Sequence, residues 1–150
     1  IMEQDKTIGA ITWMDITVPE ADGLRDFYKN VVGWTTMDIS MGDYNDYCMV
    51  SPTDNVVRSG VCHAAGSNAG MPAAWIMYIN VANLDESIAK VIAGGGEVVN
   101  GPRKMGEKAR YCIIKDPAGA YCGLFDHGQA KSIEHRAESK ERKGQRGIEA

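Results

Sequence analysis

Residues 60–81 read Gly60-Val61-Cys62-His63-Ala64-Ala65-Gly66-Ser67-Asn68-Ala69-Gly70-Met71-Pro72-Ala73-Ala74-Trp75-Ile76-Met77-Tyr78-Ile79-Asn80-Val81. A strand ends near His63, a linker of small residues follows over 64–72, and a new strand carries Tyr78. What precedes this stretch recurs after it, and a repeat of that length decides an architecture before any single element does. Met41-Gly42 and Tyr47-Cys48 return as Met105-Gly106 and Tyr111-Cys112, an offset of 64. Trp13–Val18 lines up with Ile76–Val81 at 63, and Val32-Gly33 with Ala93-Gly94 at 61. Gly60–His63 lines up with Ala120–Gly123 at 60, through Cys62 and Cys122. The four matches keep one order, and the drift falls in segments that read as loops, where length changes are tolerated.

The elements follow from periodicity. In residues 8–18, Met14, Ile16 and Val18 alternate with Trp13, Asp15 and Thr17, the period of a strand with two different faces. After Pro19, Leu24, Phe27, Tyr28, Val31 and Val32 fall on one helical stripe that predicts a buried face, and Gly33 suits a left-handed C-cap. Residues 34–41, 44–50 and 56–63 read as strands. The second half repeats this with a strand over 75–81. A helix running to Ala93 follows, capped by Asn83 or Asp85, with Leu84, Ile88, Val91 and Ile92 predicted inward. Strands over 97–101, 109–115 and 119–125 complete it. Gly94-Gly95-Gly96 follows a helix rather than opening one, so it is a cap and turn and not a phosphate loop.

Strand, helix and three strands, twice over, resembles the glyoxalase/bleomycin-resistance/extradiol-dioxygenase superfamily, the vicinal oxygen chelate proteins. The resemblance covers roughly residues 8–126 and is carried by Trp13-Met14-Asp15-Ile16-Thr17-Val18-Pro19, by Asp26 to Trp34, and by Asp116-Pro117-Ala118-Gly119 with Leu124-Phe125. It implies an α+β fold in which two βαβββ modules, residues 1–63 and 73–126, form an eight-stranded, half-open barrel-like sheet around a cavity. Residues 64–72 are the linker between them, and residues 127–150 are a charged, flexible tail.

Metal-dependent members of that superfamily take one ligand from the first and one from the last strand of each module. The resemblance places these positions at Asp15, His63, Tyr78 and Gly123. Glycine cannot ligate, and a tyrosine phenol holds its proton to near pH 10. Asp15 and His63 remain as weak metal candidates, fewer than the three protein ligands of an open zinc site. The expectation is therefore no cofactor, a divalent metal being the alternative, with Asp126 and His127 as substitutes outside the family positions. Gly123→Glu would be the change that restores metal affinity.

A cavity with a carboxylate, an imidazole and a phenol suits small-molecule binding. It also suits acid–base catalysis by Asp15, His63 and Tyr78, with Trp13, Thr17, Val61, Ile76, Asn80, Tyr121 and Phe125 lining the ligand. The two readings are thus a metal-free binder and a lyase, isomerase or dioxygenase-like enzyme.

Composition narrows the classes. The 150 residues carry a net charge of −4, which gives no nucleic-acid footprint. No apolar run reaches the length of a membrane span, and no signal peptide opens the sequence. The four cysteines form no Cys-x-x-Cys pair and read as reduced, buried thiols of a cytoplasmic protein. Residues 130–150 mix six basic with four acidic side chains and hold only Ile133 and Ile148 as large apolar residues, too little to order a segment. Exposed sheet edges favour a homodimer.

Overall fold

The computed structural model describes residues 5–128. The tail expected over residues 127–150 lies outside them apart from residues 127 and 128. The elements run β1 Ile11–Val18, α1 Ala21–Val32, β2 Thr35–Ser40, β3 Asn45–Val50, β4 Val57–His63, β5 Trp75–Asn80, α2 Leu84–Ala93, β6 Glu97–Met105, β7 Ala109–Lys115 and β8 Tyr121–Asp126. All eight strands join one sheet in the order β2-β3-β4-β1-β5-β8-β7-β6. Each module is strand, helix and three strands, and the two modules meet within one chain along the antiparallel β1–β5 seam. Within each module the first strand pairs in parallel with the last, β1 with β4 and β5 with β8.

The helices pack on one face of this sheet. Under α1 lie Ile16, Ala21, Tyr47, Met49 and Val61, with Leu24, Tyr28, Trp34 and Trp75 against them. Under α2 lie Leu84, Cys112, Ile114 and Leu124. Helix α1 ends where Gly33 adopts φ +83° and its N–H reaches the Lys29 carbonyl, a left-handed cap that glycine adopts without strain. Helix α2 starts at Asn83, whose side-chain oxygen accepts from the Glu86 N–H at 3.1 Å.

The helix stripes are wider than their contacts. Ala21, Leu24 and Tyr28 face the sheet, whereas Phe27, Val31 and Val32 are 55%, 62% and 51% exposed. Ile92 of α2 is likewise exposed, with Leu84, Ile88 and Val91 turned inward. A helix lying on a gently twisted sheet touches it along one line of residues, so apolar positions flanking that line stay outside. No helix among the described residues is long and apolar enough to cross a membrane.

Candidate functional site

The face of the sheet away from the helices is built from the alternate residues of the same strands. Residues paired across neighbouring strands share a face. On β1 and β5, Trp13 pairs with Tyr78 and Asp15 with Ile76. The flanking strands add Gly60 opposite Asp15 and Gly123 opposite Tyr78. Strand β7 adds Ile113 opposite Gly123 and Tyr111 opposite Phe125. Ile76, Tyr78 and Ile113 form a buried cluster here, packed by Trp13, Tyr111, Tyr121 and, from the linker, Met71 and Ala74.

Asp15 is the charged group at the centre. One carboxylate oxygen accepts from the Tyr78 phenol at 3.2 Å and the other lies 3.3 Å from the Trp13 indole N–H. Burial is the main cause that lifts its pKa from 3.8 to about 6, and the nearby Asp46 carboxylate adds to this, while the two donors oppose it. Burial, then the Asp15 charge, push the Tyr78 phenol far up, so it stays protonated and donates. The Cys62 thiol, on the same face as Thr17, is held protonated by burial and by Asp15 and Asp46.

The structure divides the sequence-predicted residues. Trp13, Asp15, Thr17, Ile76, Tyr78, Tyr121 and Phe125 lie on this face. His63 and Val61 do not. Val61 pairs with Ile16 and His63 with Val18, both on the helix face. Val61 is fully buried under α1. His63 Nε2 stands 3.4 Å from Asp22 of α1, and its Nδ1 lies 3.5 Å from Asp46 without hydrogen-bond geometry. Asp46 instead accepts the His63 backbone N–H at 2.8 Å. His63 therefore ties β4 to the start of α1 and is separated from Asp15 by the sheet. His63→Ala is expected to leave small-molecule binding on the Asp15 face unchanged and to lower stability by about 1 kcal/mol, checked by urea unfolding beside a ligand titration.

Asn80 shares the face of Tyr78 but is committed within the chain. Its amide donates to the carbonyls of Asp5 at 2.9 Å and Thr7 at 3.1 Å, and its oxygen accepts from Thr12 at 3.1 Å. His127 Nε2 also lies 3.0 Å from that oxygen. Asn80 fastens the N-terminal segment and has no amide hydrogen left for a ligand.

The pairing also corrects the family positions. Asp15 and Tyr78 are 63 residues apart, and so are their partners Gly60 and Gly123. The last-strand position of the first module is thus Gly60, not His63. The identity of Cys62 and Cys122 had suggested an offset of 60; the odd error of three residues moves a side chain to the opposite face. The same holds one strand out. Tyr47 pairs with Val61 and Cys112 with Leu124, so Tyr47 corresponds to Cys112 and not to Tyr111. Tyr111, which the sequence reading had not placed at the site, is therefore a lining residue. The cysteines separate as well: Cys48 and Cys62 share the Asp15 face, whereas Cys112 and Cys122 lie under α2.

The residues at the four positions, Asp15, Gly60, Tyr78 and Gly123, do not fit a divalent metal. Two have no side chain, and the phenol is held neutral. A Cβ at Gly123 would stand 2.6 Å from Cε1 and 2.8 Å from Cγ of Tyr78, and one at Gly60 would stand 3.1 Å from the Trp13 ring. Aromatic rings occupy the space that ligating side chains would need. Asp126 does not substitute, since its carboxylate accepts the N–H groups of Leu84 at 2.9 Å and Gly128 at 2.7 Å. Among the described residues, no group of three or more His, Cys, Asp or Glu is placed to hold a metal ion.

Comparison with known proteins agrees with this architecture. Residues 10–122 match the family model described as Glyoxalase/Bleomycin resistance protein/Dioxygenase superfamily. CFP32 of Mycobacterium bovis, provisionally named a glyoxylase, is 30% identical over 118 residues, covering 78% of this chain and 45% of that protein. The anthracycline biosynthesis protein DnrV of Streptomyces peucetius is 27% identical over 137 residues, covering 84% of this chain and 50% of its own. The chain thus spans about half the length of the curated relatives it matches. In fold it is similar to the methylmalonyl-CoA epimerase of Streptomyces coelicolor, with TM-score 0.53 and 14% identity over 80% of this chain and 98% of that one. It is also similar to a superfamily member from Vibrio splendidus, with TM-score 0.52 and 8% identity over 76% of this chain and 96% of that one.

Proposed function

Since the chain belongs to the glyoxalase/bleomycin resistance protein/dioxygenase superfamily, whose fold hosts more than one chemistry, its function has to be argued from its own site, and we propose that it binds a small molecule with an aromatic or apolar body on the Asp15 face, without a metal. The observation that carries this reading is the pair of glycines at the two last-strand positions, with the Trp13 and Tyr78 rings in the room they leave. Where a metal cage would need donors, this chain has a floor of rings around one carboxylate. A mostly apolar concave surface with a few convergent polar groups is the usual form of a ligand site.

The roles follow from the contacts. Trp13, Tyr111 and Tyr121, partly buried around the Tyr78 cluster, give flat contact surface at low entropic cost. Asp15 supplies polar orientation. The Tyr78 phenol and the Trp13 indole keep the carboxylate in one rotamer, and each oxygen retains a lone pair for a ligand donor. The linker segment over the cluster is fastened from β6, where the Arg103 guanidinium donates to the Ser67 carbonyl at 2.8 Å. A second reading draws on the raised Asp15 carboxyl beside a phenol donor. Asp15 would take a proton from a bound substrate while Tyr78 turns its one O–H from Asp15 to the oxygen that gains charge. In this reading His63 has no part, because it lies across the sheet.

The test uses the three indole N–H signals of Trp13, Trp34 and Trp75 in nitrogen-15-labelled protein titrated with the neutral probe naphthylethanol. Trp34 and Trp75 pack with Tyr28 under α1, so Trp13 is the indole on the binding face. The Trp13 signal is expected to shift in a saturable way, with the other two unmoved. Equal shifts of all three, or a saturable shift of Trp34 and Trp75 alone, would overturn the assignment of the site.

A further inference from the structure

We propose that the ligand of this face carries a protonated amine on its aromatic or apolar body, and that Asp15 is the counter-ion of that amine. The inference rests on the Asp15 face being the binding site and adds the charge of what binds there. Asp15 is turned into a cluster of rings, and both of its oxygens meet neutral donors, the phenol of Tyr78 and the indole of Trp13. Among the described residues it makes no ion pair.

Among the described residues, the cations that could have answered it are held elsewhere. Arg58 binds Asp54 and the Ser51 hydroxyl, Arg103 binds Ser67, and the Lys115 ammonium lies over the Tyr121 ring at 5.9 Å. The other charge acting on Asp15 is the Asp46 carboxylate, which makes the site more negative. A carboxylate removed from water without a counter-charge is costly, and proteins normally pair it or neutralise it. Among the described residues none supplies a partner, whereas a ligand cation would. The Trp13 and Tyr111 rings on the same face of the sheet suit a cation as well, since the face of an aromatic ring carries the negative side of its quadrupole. An anionic ligand would meet two carboxylates, and a neutral one would leave Asp15 uncompensated.

The experiment compares three probes with one ring system: naphthylethylamine, naphthylethanol and naphthylacetate. Binding is followed through the Trp13 indole signal near neutral pH, in the wild-type chain and in Asp15→Asn. The expected order in the wild type is amine, then alcohol, then acid, with the amine roughly tenfold or more above the alcohol, as for a partly desolvated ion pair. Asp15→Asn should remove that preference, bringing amine binding down to the level of alcohol binding in the same variant. Alcohol binding equal to amine binding in the wild type would overturn the charge preference and leave the binding face standing. So would an amine preference that survives in Asp15→Asn. A Trp13 signal unmoved by all three probes would overturn both.

Discussion

Asp15→Asn is expected to make the fold more stable near neutral pH, by about 2 kcal/mol, and to have almost no effect below about pH 3.5. In the folded chain the carboxyl pKa rises from 3.8 to about 6, with burial as the largest cause. The folded state therefore binds this proton more tightly than the unfolded chain does. Its stabilising contribution is complete below the unfolded value and is lost as pH rises through the folded one. Between those values a shift of about two units amounts to roughly 3 kcal/mol, which is an upper figure. Asparagine cannot ionise, so it escapes the cost of a buried charge. The Tyr78 and Trp13 hydrogen bonds to the charged carboxylate are already inside that shift, so the expected gain lies only somewhat below the upper figure. Urea unfolding of both chains at several pH values checks this: the two stability curves should converge in acid, separate as pH rises from about 4 to about 6, and keep that separation above it. A difference that stays constant from acid to neutral pH would mean that the Asp15 charge is already compensated in the folded state. A residue that lowers stability at working pH without an ion-pair partner among the described residues is the kind retained for binding or catalysis.

Much of the architecture was legible because it rests on local patterns. The alternation in 13–18 and 75–80 placed Trp13, Asp15, Ile76 and Tyr78 on one face, and the ladders pair them there. The Asn83 and Gly33 caps are likewise local chemistry. What could not be read locally was the register of strands that find their partners some 45 residues away in sequence. Matching Cys62 to Cys122, and Tyr47-Cys48 to Tyr111-Cys112, aligned identical residues that face opposite sides of the sheet. Strand faces alternate with every residue, so an odd slip converts a core side chain into a lining one. A signal that would have corrected it was present. Ser59-Gly60-Val61 and Cys122-Gly123-Leu124 each hold a glycine between bulkier residues, and superposing those glycines gives the same offset of 63 as β1 and β5. The outward turn of Phe27, Val31 and Val32 had no such signal, because an apolar stripe does not say which of its edges meets the sheet.

Gly123→Ala should destabilise the chain by about 3 kcal/mol, and most of that loss should vanish when Tyr78 is also Ala. No positive φ makes this glycine necessary, since Gly123 is absent from the left-handed set. Its cause is the Tyr78 ring, which lies across the glycine so closely that an added Cβ would stand 2.6 Å from Cε1 and 2.8 Å from Cγ. The ring is buried between Ile76 and Ile113 and cannot rotate away without opening that cluster. It would also have to release Asp15, to which its hydroxyl donates at 3.2 Å. A methyl group at residue 123 therefore forces a backbone shift or an off-rotamer tyrosine, both costly in a packed site. Tyr78→Ala alone leaves a cavity and costs a comparable amount, about 3 kcal/mol. In the double variant the new methyl enters that cavity, so the two losses should not add. Denaturant unfolding of the four chains gives the coupling, expected at about 2 kcal/mol or more. Additive losses would mean that the ring and the glycine are not in contact. The same contact bears on metal. Gly123→Glu, the change that would restore a carboxylate to the family position, places its Cβ inside the Tyr78 ring and should not raise divalent-metal affinity on its own. In this chain the second module has exchanged the space for a carboxylate at its last strand for an aromatic ring from its first, and that ring holds Asp15 in place.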